Sequence, residues 1–146
     1  MPFDYTLTIE ENSKPADVQA VEDGLLAFNL KFVPDPQFQS LNIVVRDEDG
    51  RVLGGLLGGT YWGWLYVSIF WVDEQLRGCG YGSRILAMAE DEALRRGCHH
   101  AHLDTLDVQA PGFYEKQGYK LWGTLDGFPK NHKRYYYKKE LAGSNA

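Results

Sequence analysis

The spacing of apolar residues predicts strands and helices that alternate along the chain. Residues 5–9 alternate between apolar and polar side chains and predict a first strand. Residues 12–29 carry apolar side chains at helical spacing behind a serine and a proline, which is typical of a helix start. Residues 41–59 predict a β-hairpin, because a β-branched run is followed by a turn at Asp49 and Gly50.

The most apolar stretch, residues 64–72, predicts a central strand of a sheet. One face would carry Trp64, Tyr66, Ser68 and Phe70, and the other Leu65, Val67, Ile69 and Trp71. Because both sets are largely apolar, we expect the strand to be covered on both sides. The stretch is too short to span a membrane, which takes about 20 apolar residues.

Three glycines at alternate positions separate this strand from a predicted helix. That helix would bury Ile85, Leu86, Ala89 and Ala93, pair Asp91 with Arg95 and Glu92 with Arg96 on its outer face, and end at Gly97. A strand in residues 99–106, a short helix in residues 110–118 and a final strand pair in residues 119–125 and 134–141 follow. The order β-α-β-β-β-α-β-α-β-β predicts a mixed sheet with helices packed on it.

Composition and charge narrow the class of protein. The chain has 146 residues, 44% of them hydrophobic and 24% charged, which is typical of one globular domain. A formal net charge of -5 argues against nucleic-acid binding. The two cysteines, Cys79 and Cys98, are too few for a disulfide framework. Without a basic segment and an apolar core at the N-terminus, we expect no secretory signal, no membrane association and a cytoplasmic location.

Gly78, Gly80 and Gly82 are the strongest chemical signal in the chain. Glycines directly before a helix leave backbone N–H groups uncovered at the positive end of the helix dipole, which favours a bound phosphate. Arg77 adds a charge and Ser83 a hydroxyl. The alternative is a plain turn that needs glycine for positive φ. The P-loop motif does not fit, because no Lys follows Gly82. The dinucleotide fingerprint G-x-G-x-x-G does not fit either, because Ser83 occupies the position of its last glycine.

Two blocks of residues carry a family resemblance. Residues 77–82, "RGCGYG", match [Q/R]-x-x-G-x-[G/A] behind an apolar strand, and residues 107–119, "DVQAPGFYEKQGY", match N-x-x-A-x-x-x-Y-x-K-x-G-[FY] with Asp107 in the Asn position. In this order and separation they resemble the GNAT superfamily of acyl-CoA-dependent N-acyltransferases. The resemblance is clear from Gly54 to Leu141 and only topological before that.

The resemblance implies a fold and a division of the chain. We expect an α/β (α+β) fold with a mixed, mostly antiparallel β-sheet flanked by helices and a splayed central strand pair. Residues 1–141 would form a single GNAT-like acetyltransferase domain, and residues 142–146 a flexible C-terminal tail.

The resemblance also implies a site for acetyl-CoA as co-substrate. The pyrophosphate of coenzyme A would lie on the loop formed by Arg77, Gly78, Gly80, Tyr81, Gly82 and Ser83. The pantetheine arm would pair with the backbone of Trp71 and Val72 in the gap between the splayed strands, with Asp107 at its far lip. Tyr114 would give a proton to the departing thiolate, which is otherwise poorly stabilised in a dry site.

The sequence offers several candidates for the general base. An amine acceptor arrives mostly as ammonium, with a pKa near about 10.4, and must lose a proton before it attacks. The central strand, residues 64–72, contains no carboxylate. Asp104, Asp107, His132 and Glu22 are candidates, as is a chain of water molecules.

For the acceptor we predict contacts with Trp62 and Trp64, which can hold a cation over a ring, and with His132 in the loop before the last strand.

Cys98, His99, His100 and His102 cluster in sequence, but no second group of metal-like spacing follows, so we expect no metal.

The sequence therefore predicts an N-acetyltransferase. It would move acetyl from acetyl-CoA to a primary amine of a small molecule or peptide by direct attack in a ternary complex. The alternative is a non-catalytic acyl-CoA-binding sensor or regulatory module. The acceptor amine, the use of other acyl groups and the oligomeric state are not readable from these residues, and a homodimer is only a base-rate expectation.

Overall fold

The computed structural model describes residues 4–141. Its helices are α1 Pro15–Asn29, α2 Tyr81–Arg95 and α3 Pro111–Lys116, and its strands are β1 Gln39–Arg46, β2 Val52–Tyr61, β3 Trp64–Val72, β4 His100–Leu106, β5 Lys120–Asp126 and β6 Lys133–Glu140. The predicted tail, residues 142–146, lies outside the described residues. The chain divides after Asp35 into two compact units. That both units belong to one domain stays a prediction.

The first unit contains α1, which begins at the predicted proline and buries none of its residues. The predicted strand in residues 5–9 is wrong, because residues 4–10 have no regular secondary structure. The side chains of Leu7 and Ile9 are 91% and 100% exposed. A strand needs a neighbour for its ladder hydrogen bonds, and alternation in sequence does not provide one.

The second unit is built on one sheet with the strand order β1-β2-β3-β4-β6-β5. Every neighbouring pair is antiparallel except β3 and β4, which are parallel. The predicted mixed, mostly antiparallel sheet is therefore confirmed. The turn of the first hairpin lies where predicted, with Gly50 at φ 82° and its N–H bonded to the Asp47 carbonyl at 3.0 Å.

The parallel pair β3 and β4 is joined only along its first half. The paired residues run from Trp64 opposite His100 to Val67 opposite Leu103, and no later residues of the two strands pair with each other. The strands therefore separate toward their C-terminal ends, which confirms the splayed central pair. A gap opens between the second half of β3 and residues 104–106.

A bulge in β3 changes which side chains face the core. Leu57 of β2 pairs with Ile69 and the next residue with Val67, so Ser68 is an extra residue without a partner on β2. Because one inserted residue reverses the alternation, Phe70 packs against the core beside Val67, whereas Ile69 is 56% exposed. The predicted assignment of side chains to the two faces of β3 is correct up to Val67 and wrong from Ser68 onward.

Helix α2 covers the core face of the sheet, as its periodicity predicts. Its buried side chains are Ile85, Leu86, Ala89 and Ala93. Glu92 forms ion pairs with both Arg95 and Arg96, so the predicted pair of Asp91 with Arg95 is wrong and that of Glu92 with Arg96 is confirmed. Arg96 also donates to the backbone carbonyls of Gln39 and Ser40, and this ties the end of α2 to β1.

No helix within residues 4–141 has the length and apolar composition to cross a membrane.

Candidate active site

The glycine loop leads from the end of β3 into α2 with its backbone donors uncovered. Gly78 and Gly80 have φ of 78° and 82°, a conformation that favours glycine, and no atom lies within 4 Å of where a Cβ would be. From Gly78 onward, Arg84 is the first residue whose backbone N–H has a hydrogen-bond acceptor, the Gly80 carbonyl at 3.2 Å. Between residues 78 and 83 the N–H groups find no acceptor among the described residues. A helix start of this kind can bind a phosphate.

The neighbours of the loop hold it in place. Arg77 donates from its Nε to the Val72 carbonyl at 3.1 Å, so this side chain ties the loop to the end of β3. The Ser83 hydroxyl accepts a hydrogen bond from Gln117 at 3.0 Å. A Cβ at Gly82 would lie 3.4 Å from the Phe113 ring, which shows how closely α2 approaches α3.

Tyr114 lies on α3 with a buried ring and an available hydroxyl. Its side chain is 8% exposed and packs against four other aromatic rings, Phe70, Phe113, Tyr119 and Tyr137, at centroid distances of 5.2–6.4 Å. No group within residues 4–141 forms a hydrogen bond with the Tyr114 hydroxyl. Although the ring is buried, the hydroxyl oxygen itself is accessible from outside the protein. Burial first, and the nearby charge of Asp104 second, raise the pKa of Tyr114 to about 12. The hydroxyl is therefore protonated and can donate.

Asp107 and His132 form a pair that sequence spacing could not reveal. Asp107 follows β4 and His132 precedes β6, and their Oδ1 and Nδ1 atoms are 3.0 Å apart. The other Asp107 oxygen accepts the Lys133 N–H at 3.0 Å. Desolvation acts to raise the pKa of Asp107, but the bonds from His132 and Lys133 together hold it below its usual value. The carboxylate is therefore ionised and bonded through both oxygens.

Asp104 lies where β4 leaves β3, on the sheet face opposite its buried neighbours Leu103 and Thr105. Its carboxylate forms an ion pair with Arg134 and accepts a hydrogen bond from the Tyr66 hydroxyl at 3.4 Å. Burial first, and the charge of Asp104 second, raise the pKa of Tyr66. Because Asp104 already has a cationic partner, it is a weak candidate for the general base.

The two tryptophans predicted to contact the acceptor lie at the other end of β3. Trp64 is the first residue of the strand and Val72 the last, so about 26 Å of strand separates them. Trp64 stacks on His100 at 4.7 Å and lines an open cavity of about 380 Å³ with His102, Trp122 and Lys138. Trp62 precedes it in the turn with φ of 46°. The structure does not bring these two side chains together with the loop.

The histidines of β4 take part in aromatic stacking. His102 stacks on Tyr66 at 4.8 Å, and burial lowers its pKa. Across the described residues, no three His, Cys, Asp or Glu side chains are arranged to hold a metal ion.

Most of the predicted cofactor residues converge on the gap. Trp71 and Val72 lie on β3 at one side of the gap, and their backbones pair with β2 on the side away from it. Asp107 follows β4, the strand on the other side of the gap. Arg77 and the glycine loop continue from β3. The uncovered N–H groups and the open strand edge fit an anionic ligand with an amide-containing arm.

Comparison with known proteins agrees with this geometry. A family model described as "Acetyltransferase (GNAT) family" matches residues 8–119. An acetyltransferase of Agrobacterium fabrum is 43% identical over 107 residues, 73% of this chain and 78% of that protein. The blasticidin-S acetyltransferase of Streptomyces morookaense is 42% identical over 95 residues, 64% of this chain and 70% of that protein.

A solved structure has the same architecture over nearly the whole chain. It is the crystal structure of an acetyltransferase from Agrobacterium tumefaciens, with a TM-score of 0.87 and 34% sequence identity, and the match covers 94% of this chain and 100% of that one. Both motif blocks, the splayed strands and the relatives lead to one assignment. The chain belongs to the GNAT acetyltransferase family and is an N-acetyltransferase that uses acetyl-CoA as co-substrate.

Proposed function

We propose that the chain acetylates the primary amine of a cationic small molecule, by direct attack on acetyl-CoA held between β3 and β4. The observation that carries the proposal is the gap itself, which opens after Val67 and Leu103 with uncovered donors at one end. Holding amine and thioester in one cleft removes much of the entropic cost of their reaction.

We assign the phosphate end of the cofactor to the glycine loop. The groups that would hold the pyrophosphate are the N–H groups of Gly78, Gly80, Tyr81, Gly82 and Ser83. Arg77 acts there mainly by fixing the loop, because its Nε is bonded to the Val72 carbonyl. The pantetheine arm would run beside Trp71 and Val72, whose backbones have β2 on one side only.

Tyr114 is the proton donor of the proposed reaction. When the carbon–sulfur bond of the thioester breaks, the thiolate needs a proton or a strong hydrogen bond. The Tyr114 hydroxyl has no competing partner within the described chain and keeps its proton at neutral pH, since its pKa is raised to about 12. It is therefore ready to donate to sulfur.

The net charge of -5 supports a cationic substrate, because a negatively charged protein attracts positively charged ligands. Asp104 and Asp107 lie at the end of β4, where Asp104 is paired with Arg134 and Asp107 with His132. The Streptomyces morookaense relative, at 42% identity, is a blasticidin-S acetyltransferase. We place the acceptor contacts at Tyr66, Asp104 and His132 rather than at Trp62 and Trp64, which lie at the opposite end of β3.

A thiol-release assay with a panel of amines tests the proposal. The panel contains blasticidin S, a polyamine, free amino acids and a short peptide with a free N-terminus, and mass spectrometry of the product identifies the acetylated nitrogen. We expect the cationic small molecules to have the highest kcat/KM. A preference for the peptide would refute the substrate class, whereas acetyl-CoA binding without thiol release from any amine would indicate a non-catalytic binding module.

A further inference from the structure

The pair of Asp107 and His132 lies directly beyond the C-terminal end of β4, the strand that forms one side of the gap. Asp107 is the first residue after β4, and its backbone N–H donates to the Lys133 carbonyl at 3.0 Å. His132 is held by its own backbone, which accepts from Gly127 at 2.9 Å and donates to Pro129 at 2.9 Å. The imidazole is therefore placed at the end of β4 by two elements that are far apart in sequence.

The geometry determines which ring nitrogen carries the proton. An ionised carboxylate only accepts hydrogen bonds, so His132 Nδ1 must be the donor to Asp107. In the neutral imidazole, the lone pair is then on Nε2, which has no partner among the residues described. The side chain is 43% exposed and its Nε2 is not an enclosed atom, so Nε2 is accessible to an incoming amine.

Two other carboxylates on neighbouring strands already have cationic partners. On β5, Asp126 lies 3.6 Å from the Lys133 ammonium, and on β4, Asp104 is paired with Arg134. Asp107 is thus the carboxylate left to orient the ring. Because both of its oxygens are bonded, it is poorly placed to take a proton itself.

We propose that His132 is the general base that deprotonates the acceptor ammonium, with Asp107 as its positioning residue. The proposal rests on the proposed function. His132 Nε2 takes one proton from the ammonium and later releases it to water. The amine lone pair forms the carbon–nitrogen bond at the thioester carbonyl. As the carbon–sulfur bond breaks, Tyr114 gives its proton to sulfur and recovers one from the nitrogen, leaving an amide and free coenzyme A thiol.

A histidine deletion with chemical rescue tests this role. In His132→Ala we expect kcat/KM at pH 7 to fall by about 10²- to 10⁴-fold. The deficit should shrink as the pH rises toward the amine pKa near about 10.4, because the acceptor then loses its proton unaided. Added imidazole should restore the rate in proportion to its concentration. The matched control is His99→Ala, at an exposed histidine that precedes β4, which should have wild-type kinetics and no response to imidazole.

A second pair of variants tests the positioning role. Asp107→Asn can turn its amide N–H toward Nδ1 and stabilise the wrong tautomer, so it should slow transfer. It should add little further loss in the His132→Ala background, because residues that act as a unit are not additive. Thermal stabilisation by acetyl-CoA should be the same in wild type and His132→Ala, which shows that the cofactor site is intact.

The outcomes separate this role from the proposed function. If His132→Ala has the wild-type kcat/KM at every pH, the assignment of His132 as the base is wrong, whereas acetyl transfer as the function is unaffected. A loss that neither imidazole nor high pH reverses would show a structural role instead. Wild type that acetylates no amine would refute the proposed function, and the base with it.

Discussion

Replacing Tyr114 by Phe removes one hydroxyl and keeps the ring. The ring is 8% exposed and packs against aromatic neighbours such as Phe70 and Phe113, which do not depend on the hydroxyl. Because no described group bonds that hydroxyl, its removal leaves no buried partner unsatisfied. The free energy of unfolding should therefore stay close to the wild-type value.

The effect on catalysis should be large by comparison. A donor that bonds developing negative charge in a dry site contributes about 10²- to 10³-fold in rate, or about 2.7–4 kcal/mol. The buried setting of Tyr114 raises its pKa to about 12, so the proton is present throughout an ordinary assay range. We expect Tyr114→Phe to lower the transfer rate by that factor with little change in acetyl-CoA affinity.

The measurement is single-turnover acetyl transfer at saturating acetyl-CoA, because product release sets kcat in many enzymes. The matched control is Tyr119→Phe, the same chemical change on a ring 6.1 Å from Tyr114. Tyr119 donates to Glu90 at 2.8 Å, so this variant should lose about 1–3 kcal/mol of stability and keep its transfer rate.

Two results would refute the reasoning. A Tyr114→Phe rate within about twofold of wild type, which is about 0.4 kcal/mol, would remove Tyr114 from the chemistry. A loss of rate that comes with an equal loss of stability and of acetyl-CoA affinity would show that the hydroxyl is structural.

Three further predictions concern the loop, an ion pair and the sheet. Gly80→Glu should abolish stabilisation by acetyl-CoA, worth about 2.7 kcal/mol at a hundred times Kd, whereas Gly50→Glu, with the same φ of 82° and equally open surroundings, should keep it in a thermal-shift assay. Bonds from Arg95 and then Arg96 lower the pKa of Glu92 to about 2, from an ordinary value of 4.5. Its stabilisation is present above pH 4.5 and is lost as the pH falls toward 2, so Glu92→Gln should flatten the decline of Tm in that window; an unchanged decline would contradict it. Gly58→Val should unfold the chain or lower its Tm sharply, because a Cβ there would lie 2.1 Å from the Tyr66 carbonyl, and a wild-type Tm would contradict the close strand approach.

Three of the features that the sequence predicted correctly are short-range ones. The glycines before α2, the periodicity of Ile85 to Ala93 and the turn at Gly50 each depend on residues a few positions apart, and each formed as expected. Helical spacing and turn chemistry are local properties, so they can be read along one segment of chain.

The sequence by itself thus determined the helices, the glycine loop and the family, because these depend on local spacing and on motif residues. Tertiary structure alone decided three things: the absence of a strand in residues 5–9, the bulge at Ser68, and the pairing of Asp107 with His132. Each depends on which strand lies beside which and in what register. Long-range packing sets that register, and alternation along a single strand contains no record of its partner.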